Sequence, residues 1–299
     1  MTTTAETWQH KFADTNGIRL HYVEQGDGYP VLLLHGFPEL WYSWRHQIPA
    51  LAAAGYHAIA PDLRGYGESD KPHAIEDYDI HHLVADLTGL LDALGEKEAV
   101  VAGHDWGAII TWQMALLVPE RVKAVIALSV PWAARSEIRP TEGFKVVPDG
   151  RFNYILHFQE EGVAEKEMEA DIRASLGGVY KAVSANPDFQ TEEEANVFFE
   201  AFEKGGLRGP INFYRNFDRN WETTPQLAGR KVEQPALMIM SDKDPVLPAS
   251  MADGIEANVP NVRKHVVEGA GHWVQQEKPD EVNRLMIDFL DSLELRKAS

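Results

Sequence analysis

Short apolar runs alternate along the chain with longer stretches in which apolar residues return every three or four positions. Val31-Leu32-Leu33-Leu34, Tyr56 to Ala60, Ala99 to Ala102 and Val122 to Val130 are of the first kind, the pattern of strands buried on both faces. Ile80, Leu83, Val84, Leu87, Leu91 and Leu94 are spaced as one side of an amphipathic helix that Gly95 stops. Ala108 to Val118 reads as a second helix, ended by Pro119. Ahead of these, Lys11 to Glu24 has Asn16-Gly17 at its centre, a hairpin signal because both residues tolerate positive φ. Strand and helix in alternation behind a hairpin predict a largely parallel sheet with helices on both faces.

After Pro131 the pattern changes, and strand signals are nearly absent as far as Gly229. Glu160 to Leu176 predicts a charged amphipathic helix. Thr191-Glu192-Glu193-Glu194 is a capping box opening another, with Val197, Phe198, Ala201 and Phe202 on its apolar side and Gly205-Gly206 at its end. Strands return at Ala236 to Met240 and Arg263 to Val267, and Val282, Leu285, Met286 and Phe289 predict a closing helix. The expected organisation is an α/β core made of residues 1–131 and 230–299, interrupted by a helical cap over 132–229. Phe198, Phe202 and Trp221 either hold that cap together, the preferred reading, or line a pocket beneath it.

Composition narrows the function classes. Hydrophobic residues are 44% and charged residues 25% of the 299, the ordinary globular range. A formal charge of −18 should repel nucleic acid and anionic membrane surfaces, so no polynucleotide partner is expected, and the charge says little else. With no cysteine, disulfides, thiolate metal sites and a cysteine nucleophile are excluded. Met1 to Lys11 lacks the apolar stretch of a secretory signal, and no apolar run approaches the ~18 residues of a membrane span. The expectation is a cytoplasmic protein, with a homodimer left open. No His-rich ligand spacing calls for a metal, and no cofactor is expected.

The candidate chemistry sits in Gly103-His104-Asp105-Trp106-Gly107, between a short strand and a helix. A Gly-x-nucleophile-x-Gly elbow holds its central residue on a tight strained turn, exposed above the sheet and close to the N-terminus of the next helix. Taken alone, the same five residues also describe an ordinary strand-to-helix turn in which Asp105 caps the helix. As a nucleophile, a carboxylate needs no activating base, because its ordinary pKa of about 3.9 leaves it ionised at neutral pH. Attack on an sp3 carbon would leave an alkyl ester on the enzyme, and cleaving that ester needs a base, an acid to orient it and an oxyanion hole. His272, in Gly269-Ala270-Gly271-His272-Trp273, is the candidate base, although for a histidine taken alone a surface or structural role is the commoner reading. Asp244 is the candidate acid, preferred over Asp242 because it lies further beyond the strand end. The order nucleophile, acid, histidine is that of α/β-hydrolases. The backbone N–H groups of Phe37 and Trp106 are the natural oxyanion donors.

With these motifs in place, the chain resembles the soluble epoxide hydrolases of the α/β-hydrolase superfamily, in their single-domain bacterial and plant form. The likeness runs from His35-Gly36-Phe37-Pro38 through Gly271-His272-Trp273 and takes in Asn153-Tyr154-Ile155-Leu156-His157-Phe158-Gln159 and Gly206 to Asn216 of the cap. It implies that Tyr154 and Tyr214 hydrogen-bond the epoxide oxygen, and that Phe37 and Trp106 also line the substrate site. An epoxide opens to a strongly basic alkoxide, and a phenol can supply the proton it needs. A haloalkane dehalogenase resembles the chain at the elbow, including Trp106, but such enzymes typically place an asparagine or second tryptophan for the halide, and Phe37 follows His35-Gly36 here. A non-catalytic ligand-binding relative would be free to lose part of the set, and none is lost. A serine esterase is the least favoured reading, because the elbow carries no serine.

Overall fold

The computed structural model describes residues 8–295. Residues 1–7 of the segment read as lacking a secretory signal lie outside the described residues. Asn16 and Gly17 both take positive φ, 46° and 77°, and so join β1 (Gln9–Thr15) to β2 (Ile18–Gln25) in antiparallel register. The chain continues through β3 (Tyr29–Leu34), α1 (Gln47–Ala53), β4 (Tyr56–Pro61), α2 (Ile80–Leu94), β5 (Ala99–His104), α3 (Trp106–Leu117) and β6 (Val122–Leu128). Helices alone follow: α4 (Pro140–Lys145), α5 (Asn153–His157), α6 (Val163–Glu169), α7 (Ile172–Val183), α8 (Glu192–Gly205), α9 (Arg208–Arg215) and α10 (Phe217–Thr223). Then come β7 (Ala236–Ser241), β8 (Val262–Val267), α11 (Val274–Glu277) and α12 (Pro279–Asp291).

The eight strands form one sheet in the order β1-β2-β4-β3-β5-β6-β7-β8. Pairing is parallel from β4 to β8, and β2 joins β4 antiparallel. β5 is buried at every position, the consequence of helices on both faces. In such sheets the functional crevice lies beyond the carboxyl ends of the strands, where the strand order reverses. Here the order reverses around β3 and β5, and Phe37 and Asp105 follow those two strands.

The expected helices stand with two corrections. The run Glu160 to Leu176 is not continuous: the Asp171 side chain accepts the Ala174 N–H at 3.0 Å and starts a new helix, α7, two residues after α6 has ended. α3 begins at Trp106 rather than Ala108, so Asp105 directly precedes its first turn. The Thr191 capping box forms as expected at the start of α8. No helix among the described residues is long and apolar enough to cross a membrane.

Candidate active site

Asp105 has φ 52° and ψ −118°, a region that costs a non-glycine residue about 1–3 kcal/mol and persists only where packing enforces it. The packing is visible at the flanking glycines. A Cβ on Gly107 would lie 2.0 Å from the Leu34 carbonyl oxygen, and one on Gly103 would lie 2.1 Å from the Gly107 oxygen. Strand and helix therefore approach across backbone alone. Asp105 occupies the cap position of α3 but makes no side-chain cap bond. Its Oδ1 instead accepts the Phe37 N–H at 2.9 Å. The capping alternative for this turn fails on that geometry. Trp106 is the first residue of α3, so its N–H belongs to the group that has no acceptor within the helix.

Two loops bring in the other candidates. Asp244, beyond β7, accepts the Val246 and Leu247 N–H groups on Oδ1, each at 2.9 Å. Its Oδ2 accepts from His272 Nδ1 at 2.8 Å. Burial opposes the charge on Asp244, but His272 and the two N–H donors outweigh it and hold the carboxyl below its ordinary range. Asp242 turns away: it accepts the Gly269 N–H at 2.7 Å and pairs with Lys243 at 2.8 Å. The other ring nitrogen of His272, Nε2, faces Asp105 Oδ2 at 3.8 Å. Burial disfavours the imidazolium, but Asp244 above all, and then Asp105, raise its pKa to about 9.

Tyr154 on α5 and Tyr214 on α9 stand above Asp105. Gln159 ties the two helices, its amide donating to Ile155 O at 2.8 Å and Tyr214 O at 3.0 Å. The Arg215 guanidinium braces the same region with two bonds to the buried Glu165 carboxylate, at 2.6 and 2.9 Å. The Tyr214 ring sits edge-on to Phe37 and Trp106, with centroids 5.3 and 5.2 Å away. Burial and the Asp105 charge push both phenols above their ordinary pKa, so both keep their protons at neutral pH. Tyr154 is 37% exposed, and it lines a cavity.

Two cavities, of about 510 and 470 Å3, are both lined by Asp105, Tyr154, Tyr214 and Leu247. Trp106 lines the larger; Phe37 and His272 line the smaller. Phe198 and Phe202 pack as expected, at 1% and 2% exposure. Trp221 does both: it lines the larger cavity, and it packs under the Arg135 guanidinium at 4.1 Å with its Nε1 donating to the Ser136 carbonyl at 2.9 Å.

Beneath the site lies a buried polar cluster that residue spacing did not single out. Glu39 accepts from Gly36 N at 3.0 Å, His104 Nδ1 at 2.8 Å, and the Gln275 and Gln276 amides at 3.0 and 2.9 Å. His104 Nε2 donates to the His272 carbonyl at 2.8 Å. The sequence signals were a glutamate directly after Phe37-Pro38, a histidine directly before Asp105 and the pair Gln275-Gln276, none of them tied to the others by spacing. No group of three or more His, Cys, Asp or Glu suited to a metal ion occurs among the described residues.

The profile of the alpha/beta hydrolase fold family matches residues 29–279. Epoxide hydrolase A of Mycobacterium tuberculosis is 46% identical to the chain, over 96% of this chain and 98% of that one. Bifunctional epoxide hydrolase 2 of Sus scrofa is 41% identical over 92% of this chain, which spans 54% of that longer protein. The crystal structure of epoxide hydrolase A from Mycobacterium thermoresistibile superposes with a TM-score of 0.92 at 45% identity, covering 97% of this chain and 100% of that one.

Proposed function

The chain belongs to the α/β hydrolase fold family and is an epoxide hydrolase, and from that premise we propose that Asp105 attacks a ring carbon and that His272 directs water onto the resulting ester. The observation that carries this reading is the convergence of both cavities on Asp105, Tyr154 and Tyr214, with His272 Nε2 3.8 Å from the carboxylate.

The epoxide lies between Asp105 and the two phenols. Asp105 Oδ2 forms a bond to carbon as the C–O bond of the ring breaks. The alkoxide takes a proton from a phenol, because an alkoxide is far more basic than a phenolate. Esterification removes the negative charge facing His272, so its pKa falls from about 9 and it releases its proton. That proton passes to the phenolate and restores the phenol that protonated the alkoxide. Neutral His272, held by Asp244, then accepts a proton from water as the water oxygen attacks the Asp105 carboxyl carbon. The Phe37 and Trp106 N–H groups receive the oxyanion. When the carbon–oxygen bond to the substrate breaks, a vicinal diol leaves with the second water hydrogen. Asp105 returns as carboxylate and His272 as imidazolium.

Residues 1–131 and 230–299 are taken as the core in this scheme and 132–229 as the cap that supplies the phenols. A cytoplasmic setting is part of the same proposal. One turnover in 18O-labelled water tests the chemistry. Label should enter the Asp105 carboxylate; label entering only the diol would mean direct hydration and would end the ester mechanism.

A further inference from the structure

Glu277, at the end of α11, is buried and its carboxylate faces backbone N–H groups from two separate parts of the chain. Oε2 accepts from Gly271 at 3.0 Å, and from Ala185 and Asn186 at 3.0 and 3.1 Å. Oε1 accepts from Trp273 at 3.2 Å. Gly271 and Trp273 flank His272; Ala185 and Asn186 follow α7, which walls the smaller cavity through Ser175, Val179, Ala182 and Val183.

The same junction is closed from the other side. A helix ends with carbonyls that have no partner inside it, and at the end of α7 two of these take donors from the histidine loop. The Val183 carbonyl accepts the His272 N–H at 2.8 Å, and the Tyr180 carbonyl accepts Trp273 Nε1 at 3.0 Å. The two backbones approach so closely that a Cβ on Gly271 would lie 2.4 Å from Ala185 N. The backbone on both sides of His272 is therefore bonded to the cavity wall, either directly or through one carboxylate.

We propose that Glu277 is a positioning residue for His272, coupling the docking of α7 and the loop after it to the step in which His272 activates water. Only a carboxylate suits the place. It offers acceptors alone, whereas a glutamine would turn an N–H donor toward backbone N–H groups. Ring opening uses Asp105 and the tyrosines, which Glu277 does not touch. Ester hydrolysis needs His272 aligned on both water and Asp244, where displacement by about 1 Å can cost a hundredfold.

The inference rests on the two-step reaction proposed above, and half-reactions separate the two. Wild type, Glu277→Gln and Glu277→Asp are mixed with excess styrene oxide in rapid-quench experiments. Intact mass reports ester formation and its decay across pH. Glu277→Gln should form ester within about threefold of the wild-type rate. Its hydrolysis should be slowed about tenfold to a hundredfold, with ester accumulating and the pH midpoint of the hydrolytic step displaced. Glu277→Asp keeps the charge and both acceptors at shorter reach and should lie between. Ester decay at the wild-type rate and midpoint in both variants would overturn the inference and leave the two-step reading intact. Equal slowing of both half-reactions without accumulation would reduce Glu277 to a packing role. A wild type that forms no ester would overturn both.

Discussion

Replacing Asp105 with Asn should lower the pKa of His272, because the two-step scheme makes that carboxylate the switch for the histidine. The substitution keeps the shape of the side chain and removes its charge, as esterification does. Asp105 Oδ2 lies 3.8 Å from His272 Nε2, and the two side chains are 14% and 7% exposed. At an effective dielectric of about 20, unit charges at that separation attract by about 4 kcal/mol. Residual solvent screening reduces this, so the midpoint should fall by roughly one to three pH units, at 1.36 kcal/mol each. The sign is fixed: a neighbouring anion favours the imidazolium, so its removal favours the neutral base. The assay is an NMR pH titration of the His272 ring protons, assigned by comparison with His272→Gln. Wild type should titrate near the value of about 9 that its surroundings impose, and Asp105→Asn distinctly lower. An unmoved midpoint would refute the coupling and with it the account of how one histidine is charged before ring opening and neutral after it.

Tyr154→Phe combined with Tyr214→Phe should slow ring opening by about a hundredfold or more with little change in binding; unchanged single-turnover alkylation would remove the phenols from the mechanism. Asp244→Asn should lower kcat by about a hundredfold or more, while Asp242→Asn stays within about twofold, since only Asp244 bonds His272; equal effects in steady-state assays would contradict the assignment. Gly107→Ala should destabilise the fold by about 3 kcal/mol or more, because the added Cβ would sit 2.0 Å from the Leu34 oxygen with backbone on both sides. A denaturant midpoint equal to wild type would show that the elbow can relax.

Local pattern was enough for much of the molecule. The Asn16-Gly17 turn, the buried strands, the α2 helix and the Thr191 capping box each depend on interactions within a few residues, so spacing and turn chemistry reveal them. The break at Asp171 was missed because amphipathic spacing runs through it; only the side-chain bond to Ala174 N marks a new helix. For Trp221 packing and pocket-lining both stayed open for a related reason, since an aromatic on a helix looks the same whether it faces a neighbour or a cavity.

By itself, the sequence determined the residue types and order of the site: a carboxylate in an elbow, an acid, a histidine, and two cap tyrosines recognised by resemblance. It could not decide between Asp105 as a helix cap and Asp105 as a residue aimed into a cavity. Nor could it find the cluster around Glu39 and His104 or the junction at Glu277. Those depend on partners far apart along the chain, such as Glu277 with Ala185 and Glu39 with Gln275. Hydrogen-bond geometry and burial between distant segments leave no periodicity behind. They exist only once the sheet has brought the ends of β3, β5, β7 and β8 together and the helices between β6 and β7 have closed over them.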